Sequence, residues 1–297
     1  MIDLITIVFR EELPLLRIQA RSYDLYIQEN DVNQITISVN DDDGVADLID
    51  PAWWGRHQSK VVIKTRSQYN FNCRVNGWES QQLLKLLAAG ESTSTWAAVL
   101  DAKTWFVRSV DMIKVFDENN RVKTKSLPLH PFLIKHFEPA KKFIDTYFNI
   151  NVTNLIGPAG VPFLFHSPTV KEMIASVDNF PEFFQTSLQF PHLVTEFTFY
   201  TGYVTSKFGK ITDLYTDKGH VLDFELSAVN IAEWQLDKFD DMISGLAWRP
   251  YSAVSIHRKT YQELTPEQLK NWLNFIKTRN LITTEEEAQE LINTYIK

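Results

Sequence analysis

The chain has 297 residues, of which 44% are apolar and 23% charged, and this composition is typical of a globular protein with a sizeable core. The net charge of −7 argues against a general nucleic-acid-binding protein, which needs a basic surface to neutralise phosphates. Because the chain has one cysteine, no basic signal region at its start and no long apolar run, we expect a cytoplasmic protein without a transmembrane segment.

The first 110 residues alternate between strand and helix patterns. Apolar, β-branched runs predict strands over residues 3–9, 35–39, 60–65 and 96–107. Helical patterns occupy residues 11–27 and 79–91. This order predicts an α/β fold with a mainly parallel central sheet.

Polar residues follow three of these strands. They are Arg10, the stretch from Asn40 to Asp43, and Asp101 with Lys103. Ligands of open α/β sheets bind beyond the carboxyl ends of the strands, so we expect these residues to share one cleft. Asp41 or Asp42 is then placed to accept hydrogen bonds from the base or ribose of a nucleotide.

The rest of the chain is predicted to complete the same domain and add a helical tail. Residues 117–131 are the most loop-like, which divides the chain into 1–116, 117–260 and a tail over 261–297. Residues 192–208 predict a helix with Leu193, Phe197, Tyr200 and Val204 on its apolar face. Two capped helices are predicted in the tail, the first with Thr265 and Gln268 as a capping box.

The common nucleotide and hydrolase signatures are missing from the sequence: it has no glycine-rich phosphate loop, CxxC, HExxH or GxSxG motif. The stretch VLDAKTWFV, residues 99–107, instead resembles the segment that carries the Asp-x-Asp motif in GT-A-fold glycosyltransferases. With NGWESQQLLKLLAA before it and VTEFTFYTGYV about ninety residues after it, the chain resembles an uncharacterised bacterial and phage family usually grouped with these enzymes.

The resemblance implies a GT-A-like fold, with a mainly parallel central sheet flanked by helices. It also implies transfer of a sugar from a nucleotide-diphosphate sugar to a hydroxyl of a glycan or other acceptor. In that reading the amino-terminal half binds the nucleotide sugar and the following half the acceptor. The expected donor-binding residues are Arg10, Asp41, Asp42, Lys85 with its neighbour Gln82, Lys103 and His257.

Lys103 departs from the resembled motif, because it stands where the second acid of Asp-x-Asp is expected. In the family that motif holds a divalent cation, Mn²⁺ or Mg²⁺, on the diphosphate. Asp101 beside a lysine is a poor metal ligand, since the ammonium group repels a cation. Two interpretations stay open: Lys103 replaces the charge of the metal on the leaving diphosphate, or Asp101 and Lys103 form an ion pair in a degenerate site.

Glu196 is the predicted general base. It borders the apolar face of the predicted helix, where partial desolvation raises the pKa of a carboxylate toward a useful value. In the resembled enzymes a carboxylate from the acceptor half deprotonates the attacking hydroxyl. Asp101 is expected to orient the donor.

Two rival functions follow from the same residues. A non-catalytic binding or scaffold module could keep the fold and lose the metal site, and Lys103 favours it. Nucleotidyl transfer to a sugar phosphate uses a similar sheet, but it usually needs a glycine-rich loop after the first strand, and VFREELP contains no glycine.

Overall fold

The structure is a computed structural model that describes residues 1–69, 77–124, 126–128, 131–157, 160–189, 191–217, 226–231, 233–246 and 251–296. Within these residues the strands, numbered in chain order, are β1 (Ile2–Val8), β2 (Val32–Val39), β3 (Val61–Thr65), β4 (Trp96–Asp101), β5 (Thr104–Phe106), β6 (Val122–Thr124), β7 (Ser126–Pro128), β8 (Asn154–Ile156), β9 (Phe163–His166), β10 (Tyr215–Asp217), β11 (Ala228–Ile231) and β12 (Ala253–Ile256). The helices are α1 (Leu13–Tyr26), α2 (Gly77–Glu91), α3 (Pro131–Phe148), α4 (Ser167–Ala175), α5 (Phe180–Leu188), α6 (Glu196–Phe208), α7 (Phe239–Gly245), α8 (Arg258–Glu263), α9 (Pro266–Thr278) and α10 (Glu285–Tyr295).

The central sheet has the strand order β3-β2-β1-β4-β9. The first four strands run parallel, and β9 pairs antiparallel with β4. Every residue of β1 and of β4 is buried, as expected for strands covered on both faces. The predicted α/β architecture with a mainly parallel central sheet is therefore confirmed.

The predicted strand over 96–107 is in fact two strands in different sheets. β4 ends at Asp101, a turn follows, and β5 pairs antiparallel with β12. The Gln19 amide nitrogen donates to the carbonyl oxygens of Asp101 and Thr104 at 2.7 and 2.8 Å, and the Trp105 indole donates to that of Ala102 at 3.0 Å. These side chains satisfy the carbonyl groups that a continuous strand would pair with a neighbour, so the turn is stable inside the protein.

The predicted helix over 192–208 begins four residues later than expected. Thr195 caps α6, its hydroxyl accepting from the amide of Thr198 in a capping box. Leu193 lies before the cap, is exposed and has a left-handed backbone with φ of 53°. It is therefore not on the apolar face of the helix. The other predicted positions of that face are buried, namely Phe197, Tyr200 and Val204.

The carboxyl-terminal helices pack into a second hydrophobic core. Thr265 and Gln268 form the predicted capping box of α9. The core gathers Trp105 of β5 and Trp272 of α9, whose rings stack with centroids 5.5 Å apart. Helix α1 also contributes to it, so the tail is anchored to the central unit. None of the helices among the described residues is long and apolar enough to span a membrane.

Candidate functional site

A cleft of about 540 Å³ opens at the carboxyl ends of β1, β2 and β4. Parallel strands bring their carboxyl ends to one edge, which explains why residues distant in sequence meet here. The residues that line the cleft include Phe9, Glu12, Asn40, Asp41, Lys103 and His257. Arg10 and Asp42 are not among the lining residues, but they contact this region from its rim.

The loop after β2 is fixed by hydrogen bonds to its neighbours. The Asn40 side chain donates to the carbonyl of Gly77 at 2.9 Å and accepts from the Ser80 hydroxyl at 2.8 Å. Asp41 accepts from the Arg10 amide at 2.6 Å. The Arg10 guanidinium lies 3.3 Å from Asp42, and both side chains are exposed, so this ion pair contributes little stability.

Asp101 lies between two lysines where β4 ends. One of its oxygens is 3.1 Å from the Lys85 ammonium nitrogen and the other is 3.3 Å from that of Lys103. The side-chain amide nitrogen of Gln81 donates to the first oxygen at 3.2 Å. The Lys103 carbonyl accepts from the Ile256 amide at 3.3 Å, so its backbone is held by β12. Asp101 thus directs a partly exposed ammonium group toward the cleft.

The buried part of this cluster alternates in charge. The Lys85 ammonium nitrogen also lies 3.1 Å from a Glu196 oxygen, so it joins two carboxylates. Burial favours the neutral form of Asp101, but the nearby ammonium groups of Lys85 and Lys103 outweigh it and hold the pKa of Asp101 well below its usual range. Burial raises the pKa of Glu196, and Lys85 only partly offsets that effect.

The pKa of Lys85 is also set by burial and by neighbouring charges. Burial alone would lower the pKa of Lys85, but Asp101 and Glu196 together raise it. Lys85 therefore carries its charge inside the protein. With all four side chains ionised, the cluster of Glu196, Lys85, Asp101 and Lys103 has no net charge, which is the condition under which buried ions are tolerated.

The residues around Asp101 do not fit a divalent cation. Two ammonium groups occupy the two sides of its carboxylate, where a metal would have to bind, and each would repel it. Over the stretches of chain that the structure describes, no group of three potential metal-ligating side chains is present. We therefore derive no catalytic step from a metal ion.

Glu196, the predicted general base, does not line the cleft. Glu196 is 2% exposed and its carboxylate contacts Lys85, a residue that is 5% exposed and also does not line the cleft. The amide of Glu196 donates to the Gln82 side chain at 3.3 Å. A general base must reach the hydroxyl that it deprotonates, and Lys85 must reach a ligand to bind it. In these positions both residues instead support Asp101.

His257 reaches the cleft from the opposite side of the site. It caps helix α8, and its Nδ1 accepts from the amide of Lys259 at 3.3 Å, which requires Nδ1 to be unprotonated. The next residue, Arg258, also lines the cleft and lies 3.5 Å from the Glu11 carboxylate. The SIHRK segment thus supplies an imidazole and a guanidinium beside Lys103.

Glu12 is a cleft residue that the sequence patterns did not single out. It stands between the end of β1 and the start of α1, where an acid looks like an ordinary residue of a first helical turn. The signal that could have found it is its place four residues beyond the end of β1, on the edge of the sheet where ligands bind.

The chain was compared with protein-family models, curated sequences and solved structures. The family model described as a family of unknown function (DUF6492) matches residues 7–250. A search of curated protein sequences found no match. Among solved structures, the apo structure of the WbbM bifunctional glycosyltransferase has a TM-score of 0.52 at 11% identity, over 99% of this chain. The chain spans about half of that protein, 51% of its length.

Two further glycosyltransferase structures match with lower scores. GlyE of Streptococcus pneumoniae TIGR4 in its apo form has a TM-score of 0.46 at 10% identity, over 98% of this chain and 63% of that one. Galactosyltransferase LgtC in complex with donor and acceptor sugar analogs has a TM-score of 0.45 at 10% identity, over 95% of this chain and 97% of that one. The fold is therefore GT-A-like, and the chain belongs to the DUF6492 family.

Proposed function

We propose that the protein is a glycosyltransferase that binds a nucleotide-diphosphate sugar in the cleft and transfers the sugar to a hydroxyl acceptor. The observation that carries the proposal is the position of Lys103, an ammonium group held by Asp101 at the carboxyl edge of a GT-A-like sheet. The fold shared with the WbbM glycosyltransferase supports the reaction class.

The polar groups of the cleft divide between the two ends of such a donor. Asp41 is placed to accept the ribose or base hydrogen bonds, because it lines the cleft where β2 ends. Lys103 and Arg258 are the cations for the diphosphate. Arg10 and Asp42 support this loop from the rim, and His257 faces the same cleft as Arg258.

Lys103 supplies the positive charge that a metal supplies in Asp-x-Asp enzymes. A unit charge about 4 Å from a phosphate oxygen is worth roughly 4 kcal/mol at an effective dielectric near 20, before desolvation is subtracted. The charge matters most as the diphosphate leaves, when negative charge accumulates on the phosphate oxygen that was bonded to the anomeric carbon. Asp101, Lys85 and Glu196 are positioning residues that keep this ammonium group in place.

A thermal-shift screen of UDP- and GDP-sugars tests the proposal, since a ligand that binds only the folded protein raises its melting temperature. Each sugar nucleotide is measured with EDTA and with manganese. We expect at least one to raise the melting temperature in EDTA and to be slowly hydrolysed by water. If no nucleotide shifts the transition under either condition, the protein is instead a non-catalytic module that kept the fold.

A further inference from the structure

Glu12 is a buried acid at the start of α1. Its side chain makes no capping hydrogen bond there. The residue is 9% exposed, and its Oε2 has no hydrogen-bond partner among the described residues. A buried carboxylate oxygen without a partner costs stability and needs an explanation, and this one belongs to a residue in the wall of the cleft.

The groups around Glu12 set its protonation. Burial and the negative charge of Asp101 raise its pKa, against the opposing charges of Lys103 and Arg258, to about 7. The other ionisable groups nearby are Tyr295, whose pKa is raised by burial and by the charge of Glu12, and Glu11, Arg66 and His257, which line the same cleft. A carboxylate in this state can take up a proton at neutral pH and release it again.

We propose that Glu12 is the general base of the transfer reaction, an inference that rests on the proposed function. The acceptor oxygen forms a bond to the anomeric carbon of the sugar while its proton moves to the Glu12 carboxylate. The bond from that carbon to the diphosphate oxygen breaks, and its electron pair leaves with the nucleoside diphosphate. Lys103 and Arg258 balance the charge of this leaving group, and Glu12 returns its proton to solvent.

The other acids near the cleft are less suited to this role. Asp101 is held ionised between two lysines, with its pKa lowered. Glu196 does not line the cleft. Glu11 is exposed and pairs with Arg258, and Asp41 accepts from the Arg10 amide. Glu12 therefore differs from these acids because it lines the cleft and has a buried carboxylate oxygen, Oε2, without a hydrogen-bond partner among the described residues.

The experiment compares the native protein with Glu12→Gln, which keeps the shape but cannot take a proton at neutral pH. The matched control is Glu29→Gln, an exposed acid that also lies in a three-residue 3-10 turn beside a strand. The probe is the UDP- or GDP-sugar that raises the melting temperature most. Nucleoside diphosphate release to water is followed from pH 5 to pH 9, and donor affinity is measured by calorimetry.

We expect Glu12→Gln to lower kcat by roughly 100- to 10,000-fold and to leave the donor Kd within about threefold. In the native protein, the rate should rise with pH through an apparent pKa near 7. This limb should be missing in Glu12→Gln, present at a reduced rate in Glu12→Asp, and unchanged in Glu29→Gln.

Several outcomes would overturn the assignment. If Glu12→Gln keeps the native rate, or loses donor binding together with the rate, Glu12 is not the base while the proposed function stands. A native protein that binds a sugar nucleotide but releases no nucleoside diphosphate overturns both the base assignment and the transfer reaction, and leaves only nucleotide binding of the proposed function. If the native protein binds no sugar nucleotide at all, both the proposed function and the base assignment are rejected.

Discussion

Lys103 is the residue at which the chain differs from the Asp-x-Asp pattern of the enzymes it resembles. Its ammonium group is held 3.3 Å from Asp101, and a second ammonium group lies on the other side of that carboxylate. The ion pair that the second interpretation names is therefore present, and Lys103 also lines the cleft, as the first interpretation requires. Whether Lys103 supplies charge to a diphosphate or the site is degenerate stays a prediction that nucleotide binding tests.

Restoring the acid should change the charge requirement. Lys103→Asp removes the cation and places a second carboxylate near Asp101, which is the arrangement that binds Mn²⁺ or Mg²⁺. We expect this variant to bind UDP- or GDP-sugars weakly in EDTA, about tenfold or more below the native protein, and to recover affinity with manganese. Calorimetry in the two buffers measures this. Unchanged affinity in EDTA would mean that Lys103 does not contact the diphosphate.

Glu12 should also make the free energy of unfolding depend on pH in the absence of any ligand. Its pKa is raised from 4.5 in a free side chain to about 7 in the folded protein, so the folded state holds its proton more tightly. The free energy of unfolding should therefore fall as the pH rises from about 4.5 to 7, by up to about 3 kcal/mol from this group.

Glu12→Gln removes that dependence. The free energy of unfolding of the variant minus that of the native protein should be more positive at pH 8 than at pH 4.5. Urea unfolding of both proteins at both pH values measures this difference. Glu29→Gln serves as the control, since an exposed acid should show no such difference. Equal stability differences at the two pH values would show that the Glu12 carboxyl titrates normally.

At the level of elements, one buried ion cluster ties α2, β4 and α6 together. Lys85 comes from α2, Asp101 ends β4, and Glu196 opens α6. Glu196 is at the first position of its helix, where the positive end of the helix dipole favours a carboxylate. This cluster links helices α2 and α6 to the strand that ends beside the cleft.

Removing the central cation of the cluster should be costly. Lys85→Met leaves two buried carboxylates without their shared partner, and we expect a loss of about 3–5 kcal/mol in the free energy of unfolding. Lys277→Met, which breaks a more exposed pair with Glu285, should cost under about 1 kcal/mol. Urea unfolding of both variants tests this. Equal losses of unfolding free energy would show that the buried cluster contributes no more stability than the exposed pair.

Elements with regular patterns were predictable, and those set by distant contacts were not. The apolar runs of β1 to β3, the helix over 79–91 and the capping box of α9 follow from local spacing, so the sequence predicted them. The break after Asp101 depends on the Gln19 side chain and on pairing with β12, which lies about 150 residues later. Local patterns carry no information about such partners.

The roles of the candidate site residues stay predictions, and their positions can be compared with what the sequence indicated. Strand ends indicated Asp41, Asp101 and Lys103, because the carboxyl edge of a parallel sheet is a general rule. Burial decided the rest. Glu196 and Lys85 looked like reactive groups in sequence, but they pair with each other behind the cleft, while the plain helix start at Glu12 faces into it.

Over the whole molecule, α1 joins the two hydrophobic cores. Its Leu16 and Tyr23 pack into the core of the central sheet, and Leu15 and Ile18 pack into the core of the carboxyl-terminal helices. The two cores thus share one rigid element. The division of the chain near residue 117 stays a prediction, since the central core draws residues from both sides of that position.

This sharing predicts cooperative unfolding. Trp272→Ala empties a fully buried position in the second core and should cost about 3–5 kcal/mol. We expect the variant to unfold in one transition at a lower midpoint, with circular dichroism and tryptophan fluorescence changing together. Two separate transitions would instead show that the carboxyl-terminal helices unfold independently of the sheet.

The cleft is proposed to bind a sugar nucleotide through the charge of Lys103. Calorimetric titration of UDP and GDP into the native protein and Lys103→Ala, in EDTA, measures this, with uridine and guanosine as controls. We expect a diphosphate to bind the native protein without metal, Lys103→Ala to weaken this binding by tenfold or more, and nucleoside binding to be unchanged. If binding appears only after manganese is added and is equal in the two proteins, Lys103 does not provide the charge that binds the diphosphate.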